Sequence, residues 1–328
     1  MALHVPDLEE LARRFTSFAE VDCRGYSPLY EHVALEIAAD AQLLGLLAEA
    51  RPGQRRPTLF LAAVNYLGGR PAFDQFHDFC LDNRDALLSI IETRATQTNE
   101  VGRSAVLLPM FCRPPEPLAL VEVGASAGLN LLFDRYAYDY DGVRLGDGEL
   151  RLSCASFLVP DRIPTVASRV GVDREPVDVM DDDAVAWLRA CIFADQGDRL
   201  ERLEQAVAVA RRGPPTIVAG NANDVLRDVV AAVDPNAHLV VFHTYVVAYF
   251  LREERAAFFA LLDDLGRTRD LTCISAEAPG VVPDFGLERG SMVALGEVAY
   301  RDGEKRATVV GTCHPHGTWL RSAAGQPI

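Results

Sequence analysis

The chain is short of positive charge. Its 328 residues carry 32 Lys and Arg against 47 Asp and Glu, a net charge of −15. That balance argues against nonspecific binding to nucleic acid or to an anionic membrane, since both need a basic face. The densest arginine cluster, Arg51, Arg55 and Arg56, reads as a solvated loop. No apolar run approaches the ~18–20 residues of a membrane span. The segment Met1 to Glu10 lacks the basic-then-apolar signature of a secretion signal, so a cytoplasmic protein is expected. Cysteine is sparse: Cys23, Cys80, Cys112, Cys154, Cys191, Cys273 and Cys313 are scattered, with no Cys-x-x-Cys pair. This excludes a disulfide framework and a zinc cluster as the organising feature, and no metal is expected. The dinucleotide fingerprint Gly-x-Gly-x-x-Gly is also missing, which disfavours NAD.

What is present has the balance of an ordinary globular enzyme, with 49% hydrophobic and 24% charged residues. Residues 7–100 read as helical throughout. Apolar positions recur at helical spacing in Leu8, Leu11, Phe15 and Phe18, again from Leu35 to Leu47, from Leu59 to Leu67, and from Phe73 to about Arg94. We therefore expect a helical cap over 1–104 and an α/β domain over 105–328. From residue 117 short β-rich runs alternate with helical stretches. Strands are expected at 118–123, 167–173, 215–219, 238–243 and 271–276, with a closing hairpin of 291–299 and 307–313 around Arg301–Glu304. Helices fit at 128–136, 182–211, 222–233 and 246–266. Such alternation implies right-handed crossovers, and the sum is a seven-stranded, mostly parallel Rossmann-like sheet. Residues 137–165 read as an insertion, either a β-hairpin or lid or a loose surface loop.

The most informative segment is Leu118 to Leu132, where a buried apolar strand runs into Gly124-Ala-Ser-Ala-Gly128 and then a helix. Two chemistries use such a turn. Gly124-x-Ser126-x-Gly128 is a nucleophile elbow, with Ser126 attacking and a chain order Ser126, Asp263 or Asp264, His316. Glu122-x-Gly124-x-Ser126-x-Gly128 is a nucleotide-cradling loop with an acid at the strand end. An esterase elbow sits in mid-sheet after several strands and an oxyanion loop, whereas here the preceding 117 residues read as helical. The cradle belongs on the first strand of the sheet, as this one does.

The cradle resembles the first motif of class I S-adenosylmethionine-dependent methyltransferases, with Ser126 in place of the middle glycine. The whole chain, moreover, resembles the bacterial domain-of-unknown-function 2332 family, whose core is methyltransferase-like. The stretches that carry this are Thr93–Arg103, Val121–Leu131, Val170–Asp173, Phe242–Tyr245 and His314–Gly317. The methyltransferase resemblance implies S-adenosylmethionine as cofactor and a small-molecule acceptor that the sequence does not encode. It places Glu122, Gly124, Ala125, Ser126, Gly128 and Asn130 in the cofactor loop. Asn99, Glu100 and Arg103 would meet the methionine end, unless they form a capping and salt-bridge cluster. Asp173 would hold the ribose, or be a turn residue. Asn221, Asn223 and Asp224 would touch adenine, or cap a helix. His243 would be a general base, with Tyr245 and Glu277 beside it, or else a structural histidine. His314 and His316 are expected at the sheet edge away from the cofactor. A non-catalytic binding protein stays open, because Ser126 departs from the motif and no Asn/Asp-Pro-Pro-Tyr acceptor motif is present. Oligomeric state is not encoded legibly.

Overall fold

The computed structural model describes residues 5–70, 75–288, 290 and 292–323. The expected starts at Phe73 and residue 291 lie outside them. The chain divides into two compact units, residues 1–98 with 181–201 and residues 99–180 with 202–328.

The first unit is helical. Its helices span Val5–Ser17, Pro28–Ala39, Ala41–Ala48, Pro57–Tyr66, Phe76–Asp82, Arg84–Thr93 and Asp182–Ala190, with a π-helical turn at Phe18–Cys23. Local chemistry sets these boundaries. Ser27 caps the second helix by accepting the Tyr30 N–H, and Asp40 caps the third through the Gln42 and Leu43 N–H groups. Pro57 opens the next helix, where its missing N–H costs nothing. The core forms around Phe15 edge-on to Phe60 at 6.2 Å and Tyr30 stacked on Phe193 at 4.3 Å. Helicity stops at Thr93, and residues 94–100 are irregular.

The second unit is an α/β fold. Its strands are β1 (Leu118–Val123), β2 (Ala137–Tyr140), β3 (Val143–Leu145), β4 (Arg151–Ser153), β5 (Ala155–Ser156), β6 (Val166–Asp173), β7 (Thr216–Ala219), β8 (His238–Thr244), β9 (Leu271–Glu277), β10 (Val293–Arg301), β11 (Glu304–Cys313) and β12 (Trp319–Ser322). Nine of them form one mixed sheet in the order β5-β12-β11-β10-β9-β8-β1-β6-β7. β7, β6, β1, β8 and β9 are parallel. β1 is buried along its whole length, which is why Leu-Ala-Leu-Val-Glu-Val is a continuous apolar run with a single acid. The chain leaves β1 outward through β6 and β7, then crosses back to β8 on β1's other side. Strand order thus reverses between β1 and β8, the place where open α/β sheets form a crevice.

Several expectations need correction. The sheet has nine strands rather than seven, because Trp319–Ser322 adds a strand after the closing hairpin and the insertion's Ala155–Ser156 pairs beside it. β10 runs antiparallel to β9, and β11 antiparallel to β10, so β11 runs with β9. His314 and His316 therefore leave the sheet at the same edge as the ends of β1, β8 and β9, not at the opposite one. The helix expected at 182–211 is broken into Asp182–Ala190 and Gly197–Arg211. That expected at 128–136 is a 3-10 turn, Leu129–Arg135, and the one at 246–266 starts only at Arg252 after a 3-10 turn.

Within the insertion, β3-β2-β4 form a separate small sheet. Its anchors are three buried hydroxyls: Tyr136 donates to the Leu129 carbonyl, Tyr138 to Phe133 and Tyr140 to Ala105, at 2.6, 2.6 and 2.7 Å. The segment is a packed wedge rather than a loose loop. No helix among the described residues is long and apolar enough to cross a membrane.

The wedge makes a stability prediction. Tyr138→Phe removes one of the two donors to the Phe133 carbonyl and leaves the Tyr136 N–H at 3.3 Å, so urea unfolding should show a loss of about 0.5–1.5 kcal/mol. An unchanged midpoint would mean that the hydroxyl anchors nothing.

Candidate functional site

The turn after β1 is built on the left-handed side of backbone space, with φ of 75° at Gly124 and 49° at Ser126. A side chain at Gly124 would come within 2.4 Å of Val246 Cγ2, so only glycine fits there. Ser126 tolerates its conformation because its surroundings pin it. Its N–H donates to Asp173 Oδ2 at 2.7 Å, and its carbonyl accepts the Val177 N–H at 3.1 Å. Asn99 braces the other side, giving its Nδ2–H to Ser126 Oγ at 2.6 Å and taking the Ala127 N–H at 3.0 Å. The Gly124 and Ala125 N–H groups both reach the Val172 carbonyl, and the Gly128 N–H closes on the Ala125 carbonyl. The two carboxylates that an elbow would draw on are engaged elsewhere. Asp263 pairs with Tyr300 and Lys305, and Asp264 with Arg227 and Arg267.

Glu122 alternates with Val121 and Val123, which belong to the core beneath the helices Ala222–Ala232 and Arg252–Gly266. It therefore points to the opposite face, only 3% exposed. Its Oε2 has no partner among the described residues. Burial raises its pKa well above the usual carboxyl value; the Asn130 hydrogen bond opposes this, the Asp173 charge adds to it and Arg103 pulls the other way. Asn130 in turn accepts the Ser104 hydroxyl at 2.8 Å. Arg103 is buried. It donates through Nε to the Pro315 carbonyl at 2.9 Å and through Nη1 to Thr244 Oγ1 at 3.2 Å, and it lies 4.5 Å over the Tyr245 ring. Tyr245 has a φ of 55° and a buried hydroxyl with no hydrogen-bond partner among the described residues. Glu100 accepts the Gly102 N–H and pairs with Arg202 at 3.5 Å. Gly317 has a φ of 75°, and a Cβ there would fall 1.9 Å from the Gly102 carbonyl. This interlock carries His314–Gly317 against Arg103.

On the face covered by Arg252–Gly266 lies His243, with no exposed surface. Its Nδ1 meets Glu277 Oε1 at 2.9 Å and its Nε2 meets Ser275 Oγ at 2.9 Å, while Phe258 and Phe259 pack edge-on against the ring. Glu277 Oε1 also accepts the Val246 and Val247 N–H groups, each at 3.0 Å. Burial disfavours charge on His243, but hydrogen bonding to Cys273 and Glu277 outweighs it and pushes the pKa up to about 9.

At the reversal of strand order an open cleft of about 130 Å³ lies between the ends of β1, β6, β7 and β8. It is lined by Gly124, Val172, Asp173, Gly220, Val246 and Tyr249, among others. Asn221 is not among the residues that line it and caps the helix Ala222–Ala232 through the Asn223 N–H. Asn223 donates to the Glu254 carbonyl, and Asp224 is exposed on the first helical turn. The cleft residues missed in the sequence include Arg174, Val246, Tyr249 and Phe250. Tyr249 is 80% exposed. A strand followed by Val-Val-Ala-Tyr-Phe-Leu, apolar where a polar loop is usual, was the available signal.

A family model described as "Uncharacterized protein conserved in bacteria (DUF2332)" matches residues 12–321. No curated protein matches the chain.

Two pH-dependent outcomes follow. Glu122 has its pKa raised by folding, so its contribution is fully present below 4.5 and is lost as pH rises. Glu122→Gln should therefore be more stable than wild type at pH 8, by roughly 1 kcal/mol or more, with the gain shrinking toward pH 4. A destabilised Glu122→Gln at pH 8 would contradict the buried neutral acid. In that variant His243 governs a second window. Its stabilisation is complete below its ordinary 6.5 and fades as pH climbs through about 9. Urea titrations across that range should show falling stability, and a flat profile would contradict the charged imidazole.

Proposed function

The chain belongs to the DUF2332 family of uncharacterised proteins conserved in bacteria, and from the geometry of the rim we propose that its α/β unit binds S-adenosylmethionine and directs the methyl group to a small-molecule acceptor. The observation that carries this is the cleft at the reversal of strand order with Asp173 on its lip. The residues that line the cleft fit the adenosine part of the cofactor. Val172, Ala222, Val246, Tyr249 and Phe250 offer apolar and aromatic surface to a base. Each Asp173 oxygen accepts one backbone N–H, from Ser126 and from Glu175, and retains a lone pair for a ribose hydroxyl. Glu122 has an oxygen without a partner, on the face it shares with Arg103. That face is the one opposite Val123, and Glu122 is not among the residues that line the cleft, so it takes no part in this fit.

When bound, the sulfonium supplies a methyl group already activated for transfer. The protein's own task is then to position the acceptor and exclude water. Gly124 forms part of the cleft wall without a side chain, and the Asp173–Ser126 bond fixes the turn that carries it. Arg103 joins Thr244, Tyr245 and Pro315, so it holds the ends of β8 and β11 together on the acceptor side.

Calorimetry and thermal unfolding with S-adenosylmethionine and S-adenosylhomocysteine test the proposal. At a hundredfold excess over Kd, the ligand should add about 2.7 kcal/mol of stability. Tyr249→Ala should weaken binding roughly tenfold while leaving the free protein's stability unchanged, because the ring is mostly exposed. Asp173→Ala should weaken binding at least as much. Absence of binding heat and of stabilisation with both ligands would overturn the proposal.

A further inference from the structure

The segment that follows β8 has only one short turn, Val247–Tyr249, before the helix at Arg252. Yet it forms a wall of the cleft through Val246, Tyr249 and Phe250. Its course is not set by regular structure. Tyr245 takes a left-handed φ of 55°, costly for a bulky residue, and its N–H is held by the Ala276 carbonyl at 3.0 Å. Val246 then sits against Gly124, where a Cβ would lie 2.4 Å from it.

Behind this segment lies a single acceptor with three donors. Glu277 Oε1 takes the His243 Nδ1–H at 2.9 Å and the Val246 and Val247 N–H groups at 3.0 Å each. The ring is oriented from its other side by Ser275 Oγ at 2.9 Å and enclosed by Phe258 and Phe259. Glu277 is 1% exposed and its second oxygen has no partner among the described residues. Apolar residues of similar volume pack the ends of interior strands as well as a buried ion pair does, so packing alone does not account for this one. His243 has no exposed surface and both ring nitrogens are engaged, so a ligand in the cleft does not reach it.

We infer that His243 and Glu277 are positioning residues: together they fasten residues 245–247 to the end of β9, seat Val246 on the Gly124 turn, and so fix the cleft wall that ends in Tyr249 and Phe250. They act through the loop and not on a reacting group.

Amide hydrogen exchange tests this without any ligand. In Glu277→Gln the Val246 and Val247 N–H groups lose their charged acceptor and should exchange roughly tenfold to a hundredfold faster, while the amides of β1 keep their wild-type rates. If Glu277→Gln does not fold, two variants of His243 decide the matter. His243→Leu removes the donor and should accelerate exchange at Val246 and Val247 roughly tenfold, whereas His243→Asn, which keeps an N–H near the Nδ1 position, should stay close to wild type. Wild-type exchange at both amides in Glu277→Gln would overturn the inference, as would equal rates in the Leu and Asn variants. A second arm rests on the proposed cofactor: Glu277→Gln should weaken S-adenosylhomocysteine roughly tenfold. If the wild type does not bind that ligand, the cofactor proposal fails alone, and the exchange rates still decide the role of the pair.

Discussion

The Asp173 carboxylate joins the ends of two adjacent parallel strands, β1 and β6, and much of the rim depends on it. It accepts the Ser126 N–H at 2.7 Å, pulling the turn after β1 onto the end of β6. That turn has left-handed backbone at both Gly124 and Ser126, a conformation with little intrinsic stability. Its N–H groups need fixed acceptors, and Asp173, Val172 and Asn99 supply them. Once the turn is fixed, Val246 has a seat on Gly124, and the cleft has a floor and a wall.

The two faces of the sheet spend stability differently to complete that rim. One face buries Glu122 with an oxygen left unpartnered, close enough to Arg103 and Asp173 for both charges to act on it. The other buries Glu277 beside His243 and uses it as an acceptor for that ring and for two backbone N–H groups. Neither arrangement is what packing alone would select. In the first case the cost leaves a carboxyl oxygen without a partner among the described residues. In the second it fixes the path of a loop that has only the short Val247–Tyr249 turn to guide it. Placing both at the same end of a mostly apolar sheet concentrates buried ionisable groups where the crevice lies, the pattern of a functional rim.

The parts of this architecture that local chemistry controls could be read from the residues. β1 announces itself as an apolar run because both its faces are covered, and the Asp302-Gly303 turn between β10 and β11 because both residues take positive φ. The parts that depend on non-local pairing could not. Trp319–Ser322 becomes a strand only because Gly311–Cys313 offers it an edge, and the two-residue β5 only because Trp319 and Leu320 do. His314 and His316 change ends of the sheet according to where β10 pairs, which no local pattern specifies. His243 and Glu277 could be picked out as chemically capable residues at strand ends. Their partnership with each other and with the Val246 and Val247 amides is a matter of three-dimensional register. Tyr249 and Phe250 lie in a loop whose apolar character was visible but whose placement over the cleft was not.

The central claim is that the cleft between Asp173 and Tyr249 is a cofactor site. A crystal structure of the protein soaked with S-adenosylhomocysteine tests it most directly. The account predicts the adenine between Val172 and the Tyr249–Phe250 segment, with the ribose hydroxyls on Asp173. A ligand bound elsewhere on the molecule, or no density at concentrations that saturate known binders, would contradict it.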